Sequence, residues 1–114
     1  MRYQQISQPD LSNKMGETQW LTEITVLPPL LQKHMAPKGK LGMVVVKEGS
    51  CGFVWEDSPL DIITIDKNHS FVIEPERYHH VVITGPVVFK IEFYKDSDFN
   101  NYDEIAIRPG QDFI

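Results

Sequence analysis

The run "IEPERYHH", residues 73–80, sets two acids, one arginine and two adjacent histidines directly before the apolar stretch "VVIT". Imidazole is a common transition-metal ligand and carries protons near neutral pH. Strand side chains alternate faces, so His79 and His80 point to opposite sides and at most one of them faces an interior. A second histidine of interest, His34 in "LLQKH", follows a proline bend and two leucines. The third group is Glu92 in "VVFKIEFY". There Val87, Phe89, Ile91 and Phe93 share one face, and Val88, Lys90, Glu92 and Tyr94 share the other. If the aromatic face is the core, Glu92 is solvated beside Lys90. If the polar face lines a pocket, Lys90, Glu92 and Tyr94 are site residues, and periodicity does not choose between the two.

Taken singly, an inward histidine is more often a hydrogen-bonded core residue than a ligand, and His34 alone fits an exposed loop. Taken together, two imidazoles and one carboxylate make the facial set that suits Fe(II) with open coordination positions. The same set suits a catalytic-type zinc site completed by water. Four histidines and 16 acids offer many such triples, so composition gives this one little weight by itself.

The elements that must position these residues read as short strands. "WLTEITV" alternates up to Pro28 and Pro29, which forbid a regular ladder and mark an edge or bend. "LGMVVVKEG" reads as a buried strand ended by Gly49, and "CGFVWE" as a separate one. "LDIITID", "SFVIEP", "HHVVIT" and "VVFKIEFY" follow, divided by "KNH", the proline-containing loop and "GP". Leu60, Ile62 and Thr64 share one face of the first of these, and Ile63 and Ile65 the other. No segment has an amphipathic helical period. Strands this short, at such regular spacing, predict an all-β sandwich or small barrel. The polar, irregular residues 1–19 are expected to form an N-terminal arm. Residues 20–95 are expected to form the barrel, and 96–114 a tail packing on or beside it.

Composition narrows the function. A chain of 114 residues holds one domain with a real core. Its net charge of −5 argues against nucleic acid, which demands a basic stripe, and against docking on an anionic membrane surface. No secretory leader and no bilayer-length apolar run is visible. Cys51 is the single cysteine, so no intrachain disulfide can form; a reducing, cytoplasmic location is expected. Cys51 has no basic neighbour in "GSCG" and reads as a small core residue rather than a nucleophile. "DSDFNNYDE" begins like a calcium loop at Asp96, Asp98 and Asn100. It fails at Asn101, where glycine is needed, and at Ile107, where glutamate is needed. No phosphate-binding loop, serine elbow, CxxC or dinucleotide fingerprint is present.

The ordered series "LLQKH", "APKGKLG", "MVVVKEGS", "FVIEPERYHHV" and "VVFKIEFY" resembles the small cupin-type domain of the tellurite-resistance TehB/YeaR-like family. The resemblance runs from about Trp20 to Tyr94 and rests on His34, Gly49, Pro75 with Tyr78 and His79, and Glu92 with Phe93 and Tyr94. It implies a cupin-like jelly roll, a double-stranded β-helix. It also implies a metal site of His34, His79 and Glu92, with Glu74 as an alternative ligand, and a divalent ion such as zinc or iron. Glu76 stands where the cupin "P-x-G-x-x-H" element has glycine, and the early "H-x-H-x-x-x-E" cluster is absent. One member type fuses this domain to a methyltransferase, for which 114 residues leave no room, so tellurite methylation by this chain alone is not expected.

Three functions follow as expectations. The first is a metal-binding, stress-response cupin acting on a small or oxyanionic molecule, with Tyr78, Lys90 and Tyr94 in the substrate pocket. The second is a non-catalytic small-ligand module without metal. The third, compatible with either, is a homodimer formed through an exposed apolar sheet face. Whether the protein is an enzyme stays open.

Overall fold

The computed structural model describes residues 2–4, 9 and 11–96. Apart from single 3-10 turns at Leu11–Asn13 and Pro28–Leu31, the regular structure of these residues is all strand. The strands are β1 (Lys14–Glu17), β2 (Leu21–Thr22), β3 (Lys40–Trp55), β4 (Ile62–Asp66), β5 (Phe71–Ile73), β6 (His79–Val82) and β7 (Val87–Lys95). All of their pairings are antiparallel. No helix among the described residues is long and apolar enough to cross a membrane.

The organising element is β3, 16 residues long. Its first half pairs with β7 on one side and β5 on the other. Its second half pairs with β4 and β6. A single strand therefore belongs to two sheets, and the folded seven-stranded sheet forms an open, jelly-roll-like sandwich. The sequence reads as two strands parted at Gly49, whereas the structure joins them. The β3–β7 ladder slips by one residue between Val46 and Glu48, and Gly49 takes a φ of 75°. This bulge and the left-handed glycine bend the strand without ending it.

The bulge also resets which residues face inward. Val44 and Val46 enter the core before it; Cys51, Phe53 and Trp55 enter after it. One inserted residue shifts a period-2 pattern by one, so the even-numbered inner face becomes odd-numbered. These side chains meet Ile63 and Ile65 of β4, Phe71 and Ile73 of β5, Val81 of β6, and Val87, Phe89 and Ile91 of β7. Burial pushes the Cys51 thiol up to about 12, consistent with an inert core residue.

Two local expectations are corrected. "WLTEITV" contributes only the two residues of β2. Thr22 Oγ1 accepts hydrogen bonds from the backbone N–H of Ile24 and of Thr25, each 3.1 Å, and turns the chain before alternation can continue. Leu21 is buried, while Ile24 points to solvent. Within residues 1–19, expected as an irregular arm, Lys14–Glu17 pair with β7. Further toward the N-terminus, Arg2 O accepts from Thr64 N (2.7 Å). The Gln4 side-chain amide then serves both backbone groups of Val72, at 2.9 and 2.6 Å. The tail expected over 96–114 lies, after Asp96, outside the described residues.

Candidate functional site

Backbone pairing, rather than proximity in sequence, brings His34 and His79 together. Pro28 and Pro29 open the 3-10 turn Pro28–Leu31, whose Leu30 is buried. The chain leaves it extended, and His34 then pairs with His79 in an isolated antiparallel bridge. His34 N donates to His79 O (3.0 Å) and His79 N donates to His34 O (2.8 Å). Two residues directly opposite in such a bridge carry their side chains on one face. Their rings meet edge to face, 4.3 Å between centroids. Alongside, Glu76 N donates to Ala36 O (2.8 Å). Glu76 has a φ of 56°, so the position where the related motif carries glycine keeps a glycine-like backbone.

The second half of β3 builds the walls. Trp55 lies opposite His79 in the β3–β6 ladder, and Phe53 opposite Val81. The His79 ring sits 5.0 Å from Phe53 and 5.4 Å from Trp55. Phe71 closes on the same two aromatics at 4.0 and 5.7 Å. His79 is 0% and His34 3% exposed, so both imidazoles are core residues in an aromatic chamber. His80, on the other side of the strand, is half-buried and pairs with Glu56, as the alternation predicts for adjacent histidines.

Each ring is held through Nδ1. His34 Nδ1–H donates to Gln32 O at 2.7 Å, and His79 Nδ1–H donates to Arg77 O at 2.8 Å. A proton on Nδ1 leaves Nε2 as a lone-pair acceptor, the tautomer a metal or a hydrogen-bond donor requires. His79 Nε2 is buried and has no hydrogen-bond partner among the described residues, and the Nε2 of His34 is buried as well. Burial chiefly, and then the neighbouring His34, pushes the His79 imidazole down to about 3, against a small opposing pull from the Arg77 carbonyl. His79 is therefore neutral at physiological pH, the form that ligates.

Glu92 is placed elsewhere. Val87, Phe89 and Ile91 fill the core, so Lys90, Glu92 and Tyr94 take the opposite face of β7. Tyr94 Oη donates to Glu92 Oε1 at 2.6 Å. Lys14 and Lys90 each lie 3.3 Å from Glu92 Oε2, and Glu17 lies 3.2 Å from Lys90. Burial opposes ionisation of Glu92, but the bonds from Tyr94, Lys90 and Lys14 prevail and hold its carboxyl below the ordinary range. Tyr94 is pushed up to about 12, mainly by burial and by that carboxylate. Of the predicted pocket residues, Lys90 and the fully buried Tyr94 thus belong to a charge network on the face of β7 opposite Phe89 and Ile91. Tyr78 lies half-buried beneath Lys33, whose Nζ is 4.5 Å from the ring centre. Glu74 pairs with Arg77 at 3.4 Å on the protein surface.

The structure therefore brings together two of the three predicted ligands. No group of three or more His, Cys, Asp or Glu side chains among the described residues is arranged to hold an ion. The donor chemistry of the two imidazoles fits a transition metal; the carboxylate of the expected set does not join them. The aromatic chamber was not read from sequence. Its signal was the alternation of Phe53 and Trp55 in "CGFVWE".

No protein-family model and no curated protein matches the chain. Among solved structures, it is similar to a protein from E. coli strain K12, a target of the Northeast Structural Genomics Consortium. That match has a TM-score of 0.66 and 18% identity, and covers 78% of this chain and 96% of that one. It is also similar to TehB from Haemophilus influenzae, with a TM-score of 0.64 and 19% identity. There 82% of this chain matches, but only 36% of the TehB chain. At such identities the likeness shows a shared fold.

Proposed function

We propose that the protein binds a transition-metal ion, zinc or iron, through Nε2 of His34 and His79, and uses it to handle a small or oxyanionic molecule. The observation that carries this reading is the His79 imidazole: buried, neutral, fixed through Nδ1, with an unsatisfied Nε2 beside a second imidazole. A buried acceptor without a partner costs about 1–3 kcal/mol, and a ligand at Nε2 removes that penalty. Bound there, the ion would polarise an oxygen of the small molecule as a Lewis acid. The chain's own part is to hold both rings in one tautomer and to exclude water with Phe53, Trp55 and Phe71. The resemblance to the tellurite-resistance family extends the reading to oxyanion stress.

Cobalt(II) titration followed by visible absorption tests the reading. One saturable site per chain is expected. His34→Ala and His79→Ala should each weaken it by more than the roughly 10–100-fold that losing an outer-shell partner costs. Glu92→Gln should leave it unchanged, because Glu92 faces the other side of the sheet. Loss of binding in Glu92→Gln would restore the carboxylate to the ligand set. The absence of a three-residue group among the described residues favours a second reading, in which the paired imidazoles accept hydrogen bonds from a small organic ligand and no metal binds. That reading predicts a flat cobalt titration.

A further inference from the structure

A groove of about 310 Å³ opens on the protein surface behind the aromatic chamber, with Trp55 shared between the two. This is the small end of the range of ligand sites. Trp55 and Ile63 supply its apolar lining; Arg2, Asp61, Glu74 and Arg77 supply two charges of each sign. Nothing in the metal reading above uses these residues as ligands, and none comes from the cluster around Glu92.

The state of the two guanidinium groups is unequal. Arg77 is fully occupied in its role as a wall. Its Nε and Nη2 bond both oxygens of Asp57, each at 2.8 Å, its Nη1 reaches Glu74 at 3.4 Å, and its plane covers the Trp55 ring at 4.2 Å. Arg2 engages Asp61 through Nε alone, at 2.7–2.8 Å. Its terminal nitrogens, the fork that binds a carboxylate in two-point fashion, make no hydrogen bond among the described residues. The acids are unequal as well. Asp57 is consumed by the two-point pair with Arg77, whereas Glu74 holds only the longer 3.4 Å contact and keeps acceptor capacity. The Arg2 carbonyl accepts from Thr64 N, and the Gln4 side-chain amide is held by both backbone groups of Val72, so Arg2 is presented from an anchored segment.

A lining with balanced charge gains little from a ligand of net charge. It suits one that carries both signs around an apolar body. We propose that this groove binds a small zwitterion of the α-amino acid type. Its carboxylate is held by the terminal nitrogens of Arg2, its ammonium by Glu74, and its apolar side chain lies along Trp55 and Ile63.

Trp55 gives the readout. In a Trp20→Phe background it is the sole indole, because the chain has two tryptophans. Trp20 sits on the far cluster under Lys47 and Lys90, where a phenylalanine ring keeps the cation contacts. The titration uses leucine and phenylalanine, their amides and their N-acetyl derivatives, in chelator-treated protein, so that failure of the metal site cannot affect it. A saturable change in Trp55 fluorescence with the free amino acids is expected. It should weaken at least about 10-fold when the carboxylate is amidated or the amine acetylated, since each removes one charge-assisted contact. Arg2→Gln should erase the discrimination against the amide, and Glu74→Gln that against the N-acetyl form, with unchanged far-ultraviolet circular dichroism. No saturable response to any amino acid, or equal responses to the blocked forms, overturns the proposal.

Discussion

Gly49→Ala is expected to lower the stability of the protein by about 3 kcal/mol. Two terms contribute. The backbone at Gly49 has a φ of 75°, where an alanine costs about 1–2 kcal/mol. In addition, a Cβ there would lie 2.1 Å from the carbonyl oxygen of Pro86, a backbone atom that cannot swing aside. Relief requires β3 and the start of β7 to move apart, at the point where Gly49 pairs with Val87. Overpacking of this kind costs about 1–3 kcal/mol. Gly16→Ala is the control, since a Cβ at Gly16 meets nothing within 4 Å. Urea denaturation followed by tryptophan fluorescence measures both variants. A loss below about 1 kcal/mol at Gly49 would show that the β3 junction is pliable.

The second large effect is acid instability traced to His79. In the unfolded chain its imidazole titrates near 6.5; in the fold it is pushed down to about 3. Between these values the unfolded state takes up a proton that the folded state refuses. The stability from burying a neutral His79 is therefore complete above about pH 6.5 and is lost as pH falls toward 3. From pH 6.5 to 4.5 the expected loss in metal-free protein is on the order of 2–3 kcal/mol. Glu17 and Glu92, held below the ordinary carboxylate value of 4.5, act in the same direction but at lower pH. The window above 4.5 thus separates the histidine from the acids. His79→Gln should flatten most of the slope there. An unchanged slope in that variant would locate the acid sensitivity in another group.

Much of the strand order was legible because each strand is a local pattern. Ile63 and Ile65 alternate inward with Ile62 exposed, and His79 and His80 divide between the two faces as period 2 demands. What was not legible depends on partners distant in sequence. The continuity of β3 needs β7 to carry the bulge along its first half while β4 and β6, on opposite edges, continue the ladders along its second half. The face of β7 that turns inward is set by the opposing sheet, so "VVFKIEFY" alone could not place Glu92. In "WLTEITV" the hydroxyl of Thr22 competes for backbone groups that a strand would use, and a local turn wins. The histidine pair was half legible. His79 lay in a recognisable motif, whereas its meeting with His34 arises from a two-residue bridge that no periodicity announces. The groove beside Trp55 is assembled from three separate stretches of chain, and only Glu74 and Arg77 lie within "IEPERYHH".

The most direct test of the histidine pair is elemental analysis of protein purified without a metal-binding tag, beside His79→Ala prepared in the same way. Close to one zinc or iron ion per chain, absent from the variant, is the predicted result. Metal below about one-tenth of an ion per chain in both proteins, unchanged after reconstitution with excess zinc or iron, would contradict it and assign His34 and His79 to the ligand-accepting chamber of the second reading.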